Sequence, residues 1–516
     1  MNGAESLLRS LTASGVTVCF GNPGTSEMHF VSALDSVGEM RCILGLHENV
    51  VTGAADGYAR MAEKPACTLL HLGPGLSNGL SNLHNAHRAS SAIVNIVGDH
   101  ASSHVGMDAP LASDIIGIAR PVSDWICTST SARNVGADAA RAVQAAYAAP
   151  GSIATLILPA DTAWNDADDV AVPLPFITPA EVSLHTIERV AVQLRHASSP
   201  AILLRGNVLR DESLILAGRI AKHTGARLLC DTFAPRLQRG AGRVEVERLP
   251  YFAEQVLESL QGTDLLVLVG AKPPVSFFAY PDKPGWLTPE GCILSVLSHP
   301  HENGCSALAT LAESLGACKD SFAVARLHIP EFSRSGALNA QAVIQAVARH
   351  MPENSILADE SVSSGFAHYG ITSSAVPHDY LNLTGGAIGS MMAVSTGAAV
   401  ACPDRKIITL VGDGSAMYTL QSLWTQAREK LDITTIILAN RGYKVLNNEL
   451  MRVGAVQEGI KAHSMLDLNN PQIDWVSLAH GMGIEAVRVE LQAGFEDAFL
   501  SAMRHQGPRL IEAVIN

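Results

Sequence analysis

The stretch Ile407-Ile408-Thr409-Leu410-Val411-Gly412-Asp413-Gly414-Ser415 decides the fold. An apolar, β-branched run ends there in a tight Gly-Asp-Gly-Ser turn. A helical stretch follows, and a second apolar run, Ile433 to Ala439, ends at Asn440-Arg441-Gly442. This order predicts a strand, a helix and a second, parallel strand. Asp413 and Asn440 then stand at the carboxyl ends of two strands, where ligands of parallel sheets bind. A carboxylate plus an amide oxygen suits Mg²⁺, which takes oxygen ligands and shares phosphate oxygens. Gly412 and Gly414 let backbone approach a diphosphate, and the next helix N-terminus favours its charge.

The same rhythm runs outward through the chain. Short apolar runs such as VTVCF, ACTLLHL, AIVNIVG, ATLILP, AILLR, ARLLC, DLLVLVG, CILSVL and SILADE alternate with Ala-rich helical patterns. The expected fold is therefore α/β, with parallel sheets flanked by helices. Residues 164–184 are acidic and contain proline, and residues 325–337 are polar; both read as linkers. They divide the chain into three expected domains, 1–165, 180–325 and 335–516, each of ordinary size.

Composition narrows the function. The 516 residues are 47% hydrophobic and 16% charged, as in a well-packed globular protein. Net charge is −13 with no long basic tract, which argues against a nucleic-acid partner. Nine cysteines lie singly without a Cys-x-x-Cys pair, the pattern of reduced thiols in a cytoplasmic protein. The start, MNGAESLLRS, lacks the features of a signal peptide. No apolar run approaches the roughly 18 residues of a membrane span, so no membrane association is expected.

The Gly-Asp-Gly turn with an Asn 27 residues after the Asp resembles the thiamine diphosphate motif of the decarboxylase and acetohydroxyacid synthase superfamily. That motif usually ends in two Asn; here the first is Ala439. Three N-terminal blocks strengthen the likeness: Asn22-Pro23-Gly24-Thr25, Leu46-His47-Glu48-Asn49 with its following helix, and His71-Leu72-Gly73-Pro74-Gly75. They resemble the pyrimidine-binding domain of the same superfamily, in order and spacing. The nearest likenesses are benzoylformate decarboxylases and acetolactate synthase large-subunit-like proteins.

The resemblance implies thiamine diphosphate and Mg²⁺ as cofactors, with Asp413, Asn440 and the Gly442 carbonyl on the metal. It implies cofactor contacts from Asn22, Pro23, Gly24, Ser363, Gly412, Gly414, Ser415 and Tyr443. Ile388 would support the bent cofactor, and the Gly386 carbonyl would accept from its exocyclic amine. Glu48 would bond the aminopyrimidine ring and so activate the thiazolium carbon. His71 matches a catalytic histidine, and Thr25 a substrate-contacting serine, of benzoylformate decarboxylase. Tyr280, Leu446 and Glu449 are the substrate-side candidates. At these positions the chain departs from the specialised enzymes: Tyr280 stands for a second catalytic histidine, and Glu449 for a usually apolar residue.

The implied activity is decarboxylation of a small 2-oxo acid, with ligation or release of the acyl unit. An acetolactate synthase-like carboligase is the first reading, and a benzoylformate-type decarboxylase releasing an aldehyde is the second. The implied assembly is a homodimer or homotetramer with active sites between subunits. Two other classes compete. Gly73-x-Gly75-x-x-x-Gly79 with Asp99 is a partial dinucleotide fingerprint, but it leaves Glu48 and the Asp413/Asn440 pair unexplained. A catalytically silent homologue would have no use for that polar set. FAD is the less favoured additional cofactor, and the absorbance of the purified protein tests it.

Overall fold

The computed structural model describes residues 1–454 and 459–515, so 455–458 and 516 of the expected 335–516 domain lie outside it. Its sequence runs form three separate sheets. The first has the order Arg41–Leu44, Val18–Asn22, Ala66–Leu70, Ile93–Asp99, Ile153–Pro159 and Trp125–Thr128, parallel throughout. Its central strands are buried on both faces, which is why they read as continuous apolar runs. The second sheet holds Glu247–Arg248, Arg227–Cys230, Pro200–Leu204, Leu265–Val269 and Ile293–Ser298.

The third sheet is ordered Glu485–Val489, Arg509–Val514, Ile433–Ala439, Ile407–Gly412, Ile356–Glu360, His378–Asn382 and Arg236–Arg239. Without Arg236–Arg239, its strands follow one another in the same spatial order as those of the first sheet. In both sheets the first strand in sequence lies between the second and the third, so the direction of winding reverses beside it. Open α/β sheets bind ligands at such a reversal, beyond the strand ends. Asn22 and His71 flank one reversal, and Glu360 and Asp413 flank the other.

Arg236–Arg239 was not legible as a strand, because RLQR lacks apolar alternation. It pairs antiparallel with His378–Asn382 although it lies within the segment 180–325. Its polar side chains explain the placement. Arg236 Nε donates to Asp379 at 2.7 Å, and the Arg239 guanidinium lies 3.8 Å from the centre of the Tyr369 ring.

The helix Glu48–Ala62 crosses the helix Met391–Ala401 with both almost wholly buried. Glycines make the crossing close. A Cβ on Gly57 would lie 1.9 Å from the Val394 carbonyl oxygen, and one on Gly397 would lie 1.7 Å from that of Ala54. Arg60, one turn on, pairs with Asp56 through Nε at 2.8 Å and donates to the Asn382 carbonyl at 2.8 Å and to Thr384 Oγ1 at 3.1 Å. Its own carbonyl accepts from Arg236 at 2.9 Å. Arg60 thus ties this helix beside the first sheet to two strands of the third, through its guanidinium and its carbonyl. The nine cysteines are unpaired, and no helix among the described residues is long and apolar enough to cross a membrane.

Candidate active site

Gly412 closes its strand in extended backbone, and Asp413 opens the short helix Asp413–Ala416. The Asp413 side chain is 4% exposed; Oδ1 accepts from the Gly414 amide at 2.9 Å and Oδ2 from the Arg441 amide at 2.6 Å. The second bond spans the two strand ends and sets Asp413 beside Asn440. Burial pushes the Asp413 carboxyl up, against the pull of those amides; Lys444 acts on it less than either. Asn440 Oδ1 accepts from the Gly442 amide at 3.1 Å, and its Nδ2 lies 3.4 Å from Ser364 Oγ. Gly414 leaves room for the Tyr443 ring, which a Cβ there would strike at 2.4 Å. Ser415, the next residue, is also buried.

The loop 384–390 is held by the last residue of the run SILADE. Glu360, 2% exposed, accepts from the backbone amides of Gly389, Ser390 and Met391. Desolvation pushes its carboxyl up to about 7 despite those donors. It anchors the turn carrying Gly386 and Ile388 to the end of strand Ile356–Glu360. Gly386 adopts φ +80°, a left-handed conformation natural to glycine. Ile388 is half-buried, free to support a ligand over the turn.

On the first sheet, Glu48 begins its helix, 7% exposed, with Oε2 accepting from Asn78 Nδ2 at 3.0 Å. Gly75 keeps the space beside Oε1 open, since a Cβ there would lie 3.3 Å away. His71 follows the strand Ala66–Leu70 and precedes the helix Leu72–Ala89. Its Nδ1 lies 2.9 Å from Glu27 Oε2 and 3.2 Å from Ser26 Oγ. Glu27 is fully buried and also accepts from the Gly24 amide at 2.7 Å. An ionised Glu27 holds the proton on Nδ1 and leaves Nε2 as the acceptor. Gly24 is required here for close approach: a Cβ would meet the His71 ring at 2.3 Å. His71 and Thr25 line a cleft of about 370 Å³ that also holds His29, His100, His104 and Trp164.

The chain matches the family model "Thiamine pyrophosphate enzyme, N-terminal TPP binding domain" over residues 1–118 and "Thiamine pyrophosphate enzyme, C-terminal TPP binding domain" over residues 362–513. Along its whole length it is 48% identical to the acetolactate synthase large-subunit-like protein IlvX of Mycobacterium tuberculosis, covering 99% of that protein. The chain belongs to the thiamine pyrophosphate enzyme family. It is 28% identical over 97% of its length to the benzoylformate decarboxylase of Pseudomonas aeruginosa, of which it covers 96%. The thiamine diphosphate-dependent 4-hydroxybenzoylformate decarboxylase of Rhodococcus jostii RHA1 superposes with a TM-score of 0.89 at 26% identity, covering 100% of this chain and 99% of that one. The protein is thus a thiamine diphosphate- and Mg²⁺-dependent enzyme of the 2-oxo acid decarboxylase and carboligase group.

The residues of this thiamine diphosphate enzyme fit that cofactor. Among the described residues, no set of three His, Cys, Asp or Glu is arranged to hold a metal. One carboxylate, one amide and one carbonyl oxygen leave octahedral positions for diphosphate oxygens and water, as Mg²⁺ prefers. A cation would also relieve the desolvated Asp413 carboxylate. Gly412 and Gly414 keep the turn free of side chains where a diphosphate would lie.

Three sequence expectations acquire new detail. Ser364, next to Ser363, is the hydroxyl that reaches Asn440, because a 3₁₀ turn over Val362–Gly365 rotates successive side chains apart. Tyr280 and Glu449 meet: the phenol donates to the carboxylate, beside Arg452 and under Tyr251 and Phe277. Burial and Glu449 push the Tyr280 hydroxyl up to about 12. Leu446 is 45% exposed and does not line that small cavity. Glu27 was missed. The Gly-Thr-Ser-Glu run, with a carboxylate three residues after the turn glycine, was the available signal.

Proposed function

We propose that the enzyme decarboxylates a 2-oxo acid and joins the acyl unit to a second carbonyl compound. One observation carries this reading. Two sheets of matching strand order present, beyond strand ends at and next to equivalent reversals, an acid–base set (Glu48, His71) and an oxygen-ligand set (Asp413, Asn440). The 48% identity to an acetolactate synthase-like protein favours ligation over simple release. When bound, the cofactor supplies the electron sink for breaking the bond to the carboxylate.

The chain's residues do the rest. Asp413, Asn440 and the Gly442 carbonyl hold Mg²⁺. Gly412, Gly414, Ser415, Tyr443 and the Ser363–Ser364 turn receive the diphosphate. Ile388 supports the rings, and the Gly386 carbonyl with Glu48 orients the aminopyrimidine. Asn22, Pro23 and Gly24 shape the neighbouring wall. Thr25 bonds the substrate, and His71 gives and takes a proton at Nε2, its ring fixed by Glu27. Residues 1–165 form the pyrimidine-binding domain, 180–325 the central domain and 335–516 the diphosphate domain. Among the described residues, the first set shares no hydrogen bond with the second within one chain. That separation suits a homodimer or homotetramer whose sites combine two copies in the cytoplasm.

The deciding experiment offers the reconstituted enzyme pyruvate, longer and aryl 2-oxo acids, each with and without an aldehyde. Carbon dioxide and a ligated hydroxyketone are expected. Free aldehyde as the sole product would favour the benzoylformate-type reading, and cofactor binding without any carbon dioxide would overturn both. Two variants refine the roles. Glu48→Gln should bind the cofactor but slow deuterium exchange at its thiazolium carbon by about 100-fold or more, as loss of general acid–base help does. Parental exchange by NMR would remove Glu48 from this role. Glu449→Leu frees Tyr280 and removes a carboxylate that would repel a 2-oxo acid. It should raise kcat/KM for branched and aryl 2-oxo acids, roughly the 10-fold range of one apolar contact. An unchanged substrate profile counts against Glu449.

A further inference from the structure

His71 accounts for only one of the imidazoles in the cleft. His29, His100 and His104 share the same lining, and among the described lining residues no Lys, Arg, Asp or Glu appears. His100 directly follows the strand Ile93–Asp99, where Asp99 Oδ1 accepts from its backbone amide at 2.7 Å. His104 is brought back by a turn in which its amide donates to the Ala101 carbonyl at 2.7 Å. The His100 and His104 rings meet edge to face with centres 5.4 Å apart. His29 leans on Trp164 with ring centres 5.7 Å apart. The nearby carboxylates are already engaged: Glu27 by Ser26, His71 and the Gly24 amide, Asp99 by the His100 amide, and Asp161 by Ser102. His100 Nε2 itself is buried, without a hydrogen-bond partner among the described residues.

Imidazole N–H groups along a cleft pair with a ligand oxygen, most strongly with a charged one. The lining offers imidazole donors and no carboxylate of its own, and the carboxylates behind it are already engaged, so it suits an anionic group. Its volume is also that of a ligand site rather than of a packing gap. We infer that His100 and His104 form the distal end of the substrate site and select a 2-oxo acid bearing a second carboxylate. This rests on the reading of the reaction given above. Thr25 and His71 attend the reacting end, and the histidine pair receives the far carboxylate.

The test compares holoenzyme kcat/KM for 2-oxoglutarate and 2-oxoadipate with that for 2-oxopentanoate and 2-oxohexanoate. The dicarboxylates should be favoured by about tenfold or more, the range of one or two charged hydrogen bonds. His100→Asn and His104→Asn should each lower that ratio roughly tenfold, chiefly through KM of the dicarboxylate. Parental thiamine diphosphate affinity in each variant certifies its fold. Monocarboxylates used as well as or better than dicarboxylates, or a ratio unmoved in both variants, would overturn the inference. Turnover of no 2-oxo acid by cofactor-loaded enzyme would instead sink the reaction itself.

Discussion

Asp413→Ala is expected to weaken thiamine diphosphate binding in the presence of Mg²⁺ by at least about 100-fold, since even the partners of metal ligands are worth roughly 10–100-fold. In the reading proposed above the carboxylate is the one acidic ligand in an otherwise neutral oxygen set, and it is aligned by the Gly414 and Arg441 amides. Its loss removes the charge that draws the metal and the anchor that joins the two strand ends. The apoprotein should still fold. Two amides lose an acceptor, yet a desolvated carboxylate is removed with it, so the terms offset. Calorimetric titration with cofactor and Mg²⁺ measures the effect, and far-ultraviolet circular dichroism checks the fold. Cofactor affinity equal to the parent's would show that the metal is held elsewhere.

The second large effect concerns stability. Arg60→Leu should destabilise the protein by about 3–5 kcal/mol, the usual cost of breaking a buried ion pair from one side. Asp56 is fully buried and would be left with Ser91 alone to answer its charge. The carbonyl of Asn382 and the hydroxyl of Thr384 would lose their shared donor at the same time. Removing both charges should restore part of the loss, because a buried pair is costly to desolvate. Denaturant unfolding of Arg60→Leu alone and with Asp56→Leu separates these terms. A midpoint unchanged in the single variant would mean the pair contributes nothing.

Legibility followed the range of the interactions. The apolar strands and the positions of Asp413 and Asn440 are local patterns, and a strand buried on both faces announces itself in five residues. Glu48 and His71 stand in short blocks next to strand ends, and the family resemblance of those blocks is what marks them. What escaped depends on contacts between distant segments. Arg236–Arg239 is a strand only because Asp379 and Tyr369 receive its arginines. Tyr280 and Glu449 stand 169 residues apart, and nothing near either one signals their hydrogen bond. Ser364 rather than its neighbour reaches Asn440 because of one turn's rotation, finer than a motif resolves.

The two crossed helices set a mechanical limit. Where Gly57 and Gly397 bring backbone against backbone, neither helix can slide or roll without collision. Glu48 sits at the head of one helix, and the Gly386–Gly389 turn leads into the other. The two site halves that one chain contributes are therefore fixed relative to each other, like the jaws of a clamped tool. The lighter parts are the 271–287 loop bearing Phe277 and Tyr280 and the Lys444–Arg452 helix, which has no buried residue. Changes in those parts can retune what enters while the spacing behind them stays constant.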